Sequence, residues 1–114
     1  MNTLAGDGLM TSLEDKAGRV ARILKLVANE KRILMLCRLA AEGEMAVSAL
    51  GRAVSLSQSA LSQHLARLRE EGLVTFRRQS QTLYYSIKDG QTRQLLLALK
   101  DIYCPEMSSK GDIQ

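Results

Sequence analysis

The 114-residue sequence contains no run of 18 apolar residues, and no basic segment followed by an apolar stretch opens its N-terminus. The first absence excludes a membrane-spanning helix, and the second excludes a recognisable secretory signal. Only two cysteines are present, so a small secreted scaffold held by several disulfides is also excluded. We therefore expect a cytoplasmic protein with reduced cysteines and no membrane partner.

The residue patterns of catalytic and metal sites are also scarce. His64 is the only histidine, and neither a glycine-rich phosphate loop nor a nucleophile elbow occurs. Borderline and soft metal ions need three or four nitrogen or sulfur ligands, which one histidine and two cysteines can barely supply. We expect no enzymatic activity, no cofactor and no metal.

A basic excess in the middle of the chain is the main feature of the composition. The length fits one domain, the formal net charge is +4, and the sequence pI is about 9.3. Between residues 52 and 88 the only acids are Glu70 and Glu71. The cations of this stretch are Arg52, Arg67, Arg69, Arg77, Arg78 and Lys88. Such a balance suits nucleic acid or another anionic surface.

Residues 57–71, SQSALSQHLARLREE, predict a helix with one apolar and one hydrogen-bonding face. Leu61, Leu65 and Leu68 form the apolar stripe, Ser57 is a favourable N-cap, and Gly72 is the expected stop. Amide side chains can bind adenine edges in the major groove, and hydroxyls can bind phosphates or bases. The helix residues that we assign to DNA binding are Ser57, Gln58, Ser59, Ser62, Gln63, His64 and Arg67. For His64 we favour packing or a phosphate contact over base reading.

After Gly72 the spacing of apolar residues changes from a helical to a β-strand pattern, and residues 73–87 predict a β-hairpin with a basic tip. No Asn-Gly pair is present, so we expect a loop longer than two residues. The tip residues that we assign to DNA are Arg77, Arg78, Gln79, Ser80 and Gln81. A polar helix followed by a basic hairpin is typical of a winged helix, in which the helix enters the major groove and the wing contacts phosphate or the minor groove.

The rest of the chain supplies the helices around this unit. We predict a mainly α fold with four helices, a hairpin wing and a fifth helix: a winged helix-turn-helix. The expected helices cover roughly 13–28, 30–42, 47–54, 58–71 and 90–104, the first capped by Ser12. Residues 1–11 are expected to form a flexible arm, 12–104 the domain, and 105–114 a disordered tail.

The first and last helices carry more apolar surface than the core of a single small domain needs. Surplus apolar surface at both chain ends predicts a homodimer. A two-fold dimer presents two reading helices about 34 Å apart, which matches half-sites of a pseudo-palindromic operator in double-stranded DNA.

The helix order, the SQSALSQHLARLREEGLV segment and the hairpin ending in YYSI resemble the ArsR/SmtB family of winged-helix repressors. The resemblance implies a homodimeric DNA-binding regulator that dimerises through its first and last helices. It also implies that residues 58, 59 and 62–64 belong to the recognition helix and residues 77–81 to the wing. The family's metal ligands are missing, because MAVSALGRAV in the third helix lacks Cys-x-Cys and the last helix lacks histidine.

LCRL around Cys37 and IYC ending at Cys104 resemble the persulfide-sensing members of that family. The resemblance implies that sulfane sulfur, acting as inducer, bridges Cys37 and Cys104 and that the bridged dimer releases its operator. A direct disulfide needs Cα atoms within about 7 Å, whereas inserted sulfurs span a wider gap. Three alternatives remain open: peroxide or general thiol oxidation as the input, two structural cysteines, and a regulator without a sensor that displaces another DNA-binding protein.

Overall fold

The computed structural model describes the backbone of residues 3–106 and the side chains of residues 12–106. Within these residues, five helices and three strands follow one another in the order of a winged helix-turn-helix. Their bounds are α1 Thr3–Val27, α2 Glu30–Glu42, β1 Met45–Ala46, α3 Val47–Val54, α4 Gln58–Glu70, β2 Val74–Gln79, β3 Thr82–Ile87 and α5 Gly90–Tyr103. The predicted mainly α fold with a hairpin wing is therefore confirmed.

Side-chain caps begin three of the helices. The side chains of Asn29, Ser57 and Asp89 accept backbone N–H groups that start α2, α4 and α5. Each acceptor satisfies an N–H that has no partner within its helix. At the other end of α4, Gly72 takes φ 83°, a left-handed conformation that glycine adopts without steric cost. The predicted range of α2, 30–42, is confirmed, and that of α4, 58–71, is confirmed to within one residue.

The first helix is longer than predicted. It begins at Thr3, so residues 3–11 are helical, and the predictions of a helix start near residue 13 and of a Ser12 cap were wrong. The flexibility of residues 1–11 stays a prediction. Glycines in this stretch lower helix propensity without forbidding a helix, and no proline interrupts it. Of the predicted disordered tail, residues 107–114 lie outside the described residues.

The three strands form one antiparallel sheet in the order β1-β3-β2. The prediction missed β1, whose Met45 and Ala46 pair with Tyr85 and Tyr84 of β3, because two residues show no periodicity. The wing loop is also shorter than predicted. Gln79 pairs with Thr82, which leaves a two-residue turn, and Ser80 supplies its left-handed conformation with φ 57°. Asn-Gly is therefore not required for the tight turn.

The core forms around α2, which packs against α5, α3, β3 and α1. Met35, Leu36 and Leu39 of α2 are completely buried, whereas Ile33 and Leu34 of the same helix are exposed. The main buried partners of α2 are Leu50, Leu61, Leu68, Val74 and Leu96. α4 thus rests on the core through one face and leaves its other face free to meet a ligand.

Apolar side chains remain exposed on the two helices that were predicted to form a dimer. On α1 these are Leu13, Val20 and Leu24, and on α5 Ile102 and Tyr103, the last with 77% of its surface exposed. Within the part of the chain that the structure describes, no helix combines the length and apolar character that crossing a membrane requires.

Candidate nucleic-acid interface and cysteine cavity

The outward face of α4 is polar. Gln58, Ser59, Ser62 and Gln63 are all exposed, on the side opposite the buried leucine stripe. Ser57, which precedes this face, caps the helix: its Oγ accepts the backbone N–H of Ala60 at 3.1 Å. A helix that exposes amide and hydroxyl side chains in its first turns has the groups needed to contact base edges.

His64 lies at the side of this face and is half-buried. Its Nδ1 accepts a hydrogen bond from Nε of Arg32 at 3.1 Å. Burial lowers the pKa of His64, and the positive charge of Arg32 lowers it further, so the imidazole is neutral at pH 7. Because Nδ1 accepts, the ring proton belongs on Nε2. This geometry agrees with packing rather than base reading, and the sequence held no sign of the Arg32 contact.

Two more arginines lie along α4. Arg67, which was predicted to contact DNA, is exposed and lies 3.9 Å from Glu71 one turn on. The guanidinium of Arg69 stacks over the ring of Phe76 in β2, 4.4 Å from its centroid. Arg69 was not among the residues that we assigned to DNA binding. Its position in the basic stretch between residues 52 and 88 could have drawn attention to it.

In the wing, Arg77 is held by neighbours. Its guanidinium donates to both carboxylate oxygens of Glu44, at 2.8 and 2.9 Å, and to Gln79 at 2.8 Å. It also lies over the ring of Tyr84. The hydrogen bond from Arg77 is the largest cause that holds the pKa of Glu44 below its ordinary value. Arg77 therefore braces the wing against the loop before β1, a pairing that the sequence analysis missed.

The rest of the wing tip is exposed: Arg78, Gln79, Ser80 and Gln81. Between α3, α4 and this tip lies an open groove of about 660 Å³. Its polar lining includes Arg52, Gln58, Ser62, Arg69 and Gln81. α4 and the wing therefore border one groove with two arginines in its lining, and this groove brings together side chains from both segments that were predicted to bind DNA.

The two cysteines line a second cavity, of about 480 Å³, between α2 and α5. Both thiols are free and half-buried. The cavity walls are mostly apolar and include Ile33, Leu34, Leu99 and Tyr103, with Arg38, Glu42 and Lys100 also contributing. Cys37 and Cys104, which are far apart in sequence, are thus brought to the lining of one cavity.

Cys37 is the more constrained of the two thiols. Its Sγ lies 3.7 Å from the carbonyl oxygen of Leu96 and donates to it. Burial is the largest cause that raises the pKa of Cys37, and the electrostatic influence of Cys104 adds to it, while the positive charge of Lys100 opposes both. Cys37 is therefore protonated at neutral pH.

Among the side chains of residues 12–106, no group of three or more His, Cys, Asp or Glu is placed to hold a metal ion.

Known proteins share this architecture and its sequence. The profile of the family described as "Bacterial regulatory protein, arsR family" matches residues 29–75. The chain is 40% identical over 96 residues to the HTH-type transcriptional regulator YgaV of Escherichia coli (strain K12), an alignment that covers 84% of this chain and 97% of that protein. The chain belongs to the ArsR family.

Two further relatives of this ArsR-family regulator extend the match. The nodulation protein NolR of Rhizobium meliloti is 53% identical over 83 residues, which cover 73% of this chain and 67% of NolR. The crystal structure of the transcriptional repressor BigR from Xylella fastidiosa superposes with a TM-score of 0.76 at 35% identity, over 83% of this chain and 96% of BigR. The ArsR-family regulator is accordingly a DNA-binding transcriptional regulator with a winged helix-turn-helix.

Proposed function

We propose that this regulator is a cytoplasmic homodimeric repressor that releases operator DNA when sulfane sulfur bridges Cys37 and Cys104. The observation that carries the proposal is the shared cavity: both thiols line one apolar pocket between α2 and α5. The mostly apolar walls can hold the organic part of a small sulfur donor, and Arg38 and Lys100 in the same lining can attract a negatively charged one. The resemblance of the cysteine segments to persulfide-sensing regulators points to the same input.

The chemistry needs no oxidant beyond the sulfur donor. A cysteine thiolate attacks the outer sulfur of an organic persulfide, RSSH, forms a protein persulfide and releases the thiol RSH. Cys37 reacts more slowly, through the small thiolate fraction that its raised pKa leaves. When both cysteines have reacted, one persulfide attacks the inner sulfur of the other, and hydrogen sulfide leaves. Two thiols and two RSSH thus yield a trisulfide bridge, two RSH and one H₂S. The inserted sulfur allows a bridge across a gap too wide for a disulfide.

The bridge would act on DNA binding through the helices that it joins. Cys37 is part of α2, which packs on α3 and α1, while Cys104 directly follows α5. In the proposed dimer α1 and α5 meet their partners, so a shift of α2 against α5 changes the spacing of the two reading helices. Half-sites one helical turn apart tolerate little change in that spacing.

For DNA contact we propose that the exposed α4 residues Gln58, Ser59, Ser62 and Gln63 meet base edges. The proposed wing contacts to phosphate or the minor groove are Arg78, Gln79, Ser80 and Gln81, with Arg67 on phosphate beside α4. Arg77 and Ser57 support this surface through Glu44 and the helix cap respectively. The exposure of these groups and the groove between helix and wing support the assignment.

Fluorescence anisotropy tests the proposal, with a labelled duplex selected from a random pool as operator and salt held constant. Reduced protein is compared with protein treated with glutathione persulfide or with hydrogen peroxide. We expect the persulfide to weaken binding at least tenfold, in line with the coupling energies of known allosteric regulators. Cys37→Ser and Cys104→Ser should bind as tightly as the reduced wild type and lose the response.

The control is the double variant Cys37→Ser/Cys104→Ser, which reports any effect of the reagent on other groups. A Cys104→Ser protein that still releases DNA on persulfide treatment would contradict the bridge. Release by peroxide alone would favour thiol oxidation as the input. Binding unaffected by both reagents would leave a DNA-binding regulator with two structural cysteines.

A further inference from the structure

The first turn of α2 holds three other helices through two cations. Lys31 Nζ donates to the carbonyl oxygen of Val54 at the end of α3, at 3.2 Å. Arg32 donates twice: from Nη1 to the carbonyl oxygen of Leu26 at the end of α1, and from Nε to Nδ1 of His64 in α4, both at 3.1 Å. One guanidinium therefore links the first helix directly to the reading helix.

These contacts suit the groups that they join. Leu26 and Val54 lie in the last turns of their helices, where carbonyl groups lack intrahelical partners and the helix dipole favours a cation. The hydrogen bonds of Arg32 are partly buried, so solvent competes with them less than with a surface ion pair. A guanidinium is planar and rigid, so fixing two of its nitrogens also fixes the direction between their acceptors.

We propose that Arg32 is a positioning residue for sequence discrimination: it holds the angle of α4 relative to α1 through its two hydrogen bonds. The inference rests on the proposed DNA-reading role of α4, in which the position of the helix decides whether side chains meet base edges. Hydrogen bonds to bases require accurate placement, whereas phosphate contacts supply affinity for any sequence. Loss of Arg32 therefore removes discrimination more than it removes binding.

The experiment compares binding of the full-length protein to a duplex selected from a random pool and to a scrambled duplex, across several salt concentrations. Arg32→Gln should lower the ratio of the two affinities about tenfold, the size expected for losing a charge-assisted hydrogen bond. Its salt dependence should match that of the wild type, because both hydrogen bonds of Arg32 are made within the protein and a positioning residue does not need to contact phosphate. Arg32→Lys should also lose discrimination, since one ammonium group does not reproduce the two-pronged geometry.

A matched control removes the same charge from an exposed site: Arg22→Gln on α1 should leave the affinity ratio unchanged. The link through His64 is tested by a double-mutant cycle with His64→Leu. If Arg32 acts through His64, the double variant should discriminate no worse than Arg32→Gln alone. Thermal unfolding of each variant identifies those that are folded at the binding temperature, and Arg32→Lys keeps the test valid if Arg32→Gln unfolds.

Three results would overturn the inference. Independent, additive losses in the cycle would show that the two residues do not act together. An Arg32→Lys protein with wild-type discrimination would show that a positive charge at residue 32 suffices, without the two hydrogen bonds of a planar guanidinium. A salt slope reduced by about 1 would identify Arg32 as a phosphate contact instead. If the wild type itself did not distinguish the two duplexes, the DNA-reading role of α4 would fail, and this inference would fail with it.

Discussion

At the residue scale, single side chains decide where the helices begin and how the loops are held. Asp89 shows both effects. Its carboxylate accepts the backbone N–H and the hydroxyl of Thr92, at 3.2 and 2.7 Å, and forms an ion pair with Arg19 of α1. One residue therefore caps α5 and ties the first helix to the last, the two helices that are predicted to form the dimer interface.

Asp89 should make stability depend on pH. The side-chain hydrogen bond from Thr92 is the largest cause that holds the pKa of Asp89 below its ordinary value. A depressed folded-state pKa adds stability above the unfolded-state value, and this contribution is lost as pH falls through the folded-state value. We expect Asp89→Asn, which can still cap, to be less stable than wild type at pH 7 and to approach it below about pH 4.

Urea unfolding followed by circular dichroism at several pH values measures this difference. Asp89→Ala removes both the cap and the charge and should cost about 1 kcal/mol at neutral pH. A gap between wild type and Asp89→Asn that stays constant down to acid pH would show that the carboxylate charge is not the source of the effect.

At the element scale, the helix-turn-helix depends on a close approach between α3 and α4. Gly51 in α3 is buried, and a Cβ added there would lie 3.1 Å from Cδ2 of Leu61 in α4. Because Gly51 has no side chain, the two helices can pack closely, and this contact supports α4 through its buried face. Lys31 and Arg32 then hold both helices from the side of α2.

A larger side chain at residue 51 should separate the two helices. Gly51→Leu inserts several carbon atoms where little space exists, and we expect a loss of about 1–3 kcal/mol from overpacking. Gly18→Ala in α1 is the matched control, because nothing lies within 4 Å of its added Cβ. That control should gain about 1 kcal/mol from improved helix propensity. Urea unfolding reports both values, and unchanged stability in Gly51→Leu would contradict the tight packing.

At the scale of the whole molecule, the exposed apolar residues of α1 and α5 explain why the chain should pair with a second copy. Leu24 has 47% of its surface exposed, and Ile102 and Tyr103 are more exposed still. Large apolar side chains left exposed on a folded domain are typical of an interaction site. A two-fold dimer that buries both helices would place one α4 on each side of a symmetric operator.

A charge on the α1 face should separate the dimer. Leu24→Glu would bury an unpaired carboxylate at the proposed interface, which costs about 3 kcal/mol or more, so the dimer dissociation constant should rise at least about hundredfold. Analytical ultracentrifugation over a range of concentrations measures this constant. Ala53→Glu, at an exposed site on α3, is the control and should stay dimeric. A wild type that sediments as a monomer at all concentrations would contradict the homodimer.

The sequence by itself determined the features that depend on neighbouring residues. Caps at Asn29, Ser57 and Asp89 and the leucine stripe of α4 act within a few residues, so local patterns predicted α2, α4 and α5 and the polar reading face. The family resemblance added the overall arrangement of the helices. The start of α1 escaped local analysis because a weak cap signal at Ser12 was mistaken for a boundary inside a continuous helix.

Only the tertiary structure decided which distant residues meet. The bonds of Arg77 to Glu44 and of Arg32 to His64, and the cavity shared by Cys37 and Cys104, each join separate elements. β1 forms by pairing with the free edge of β3, and a strand of two residues is too short to show an alternation of apolar and polar residues in the sequence. The physical reason is the same in each case: these contacts follow from how whole elements bury their apolar faces against α2, and hydrophobic burial acts without regard to distance along the chain.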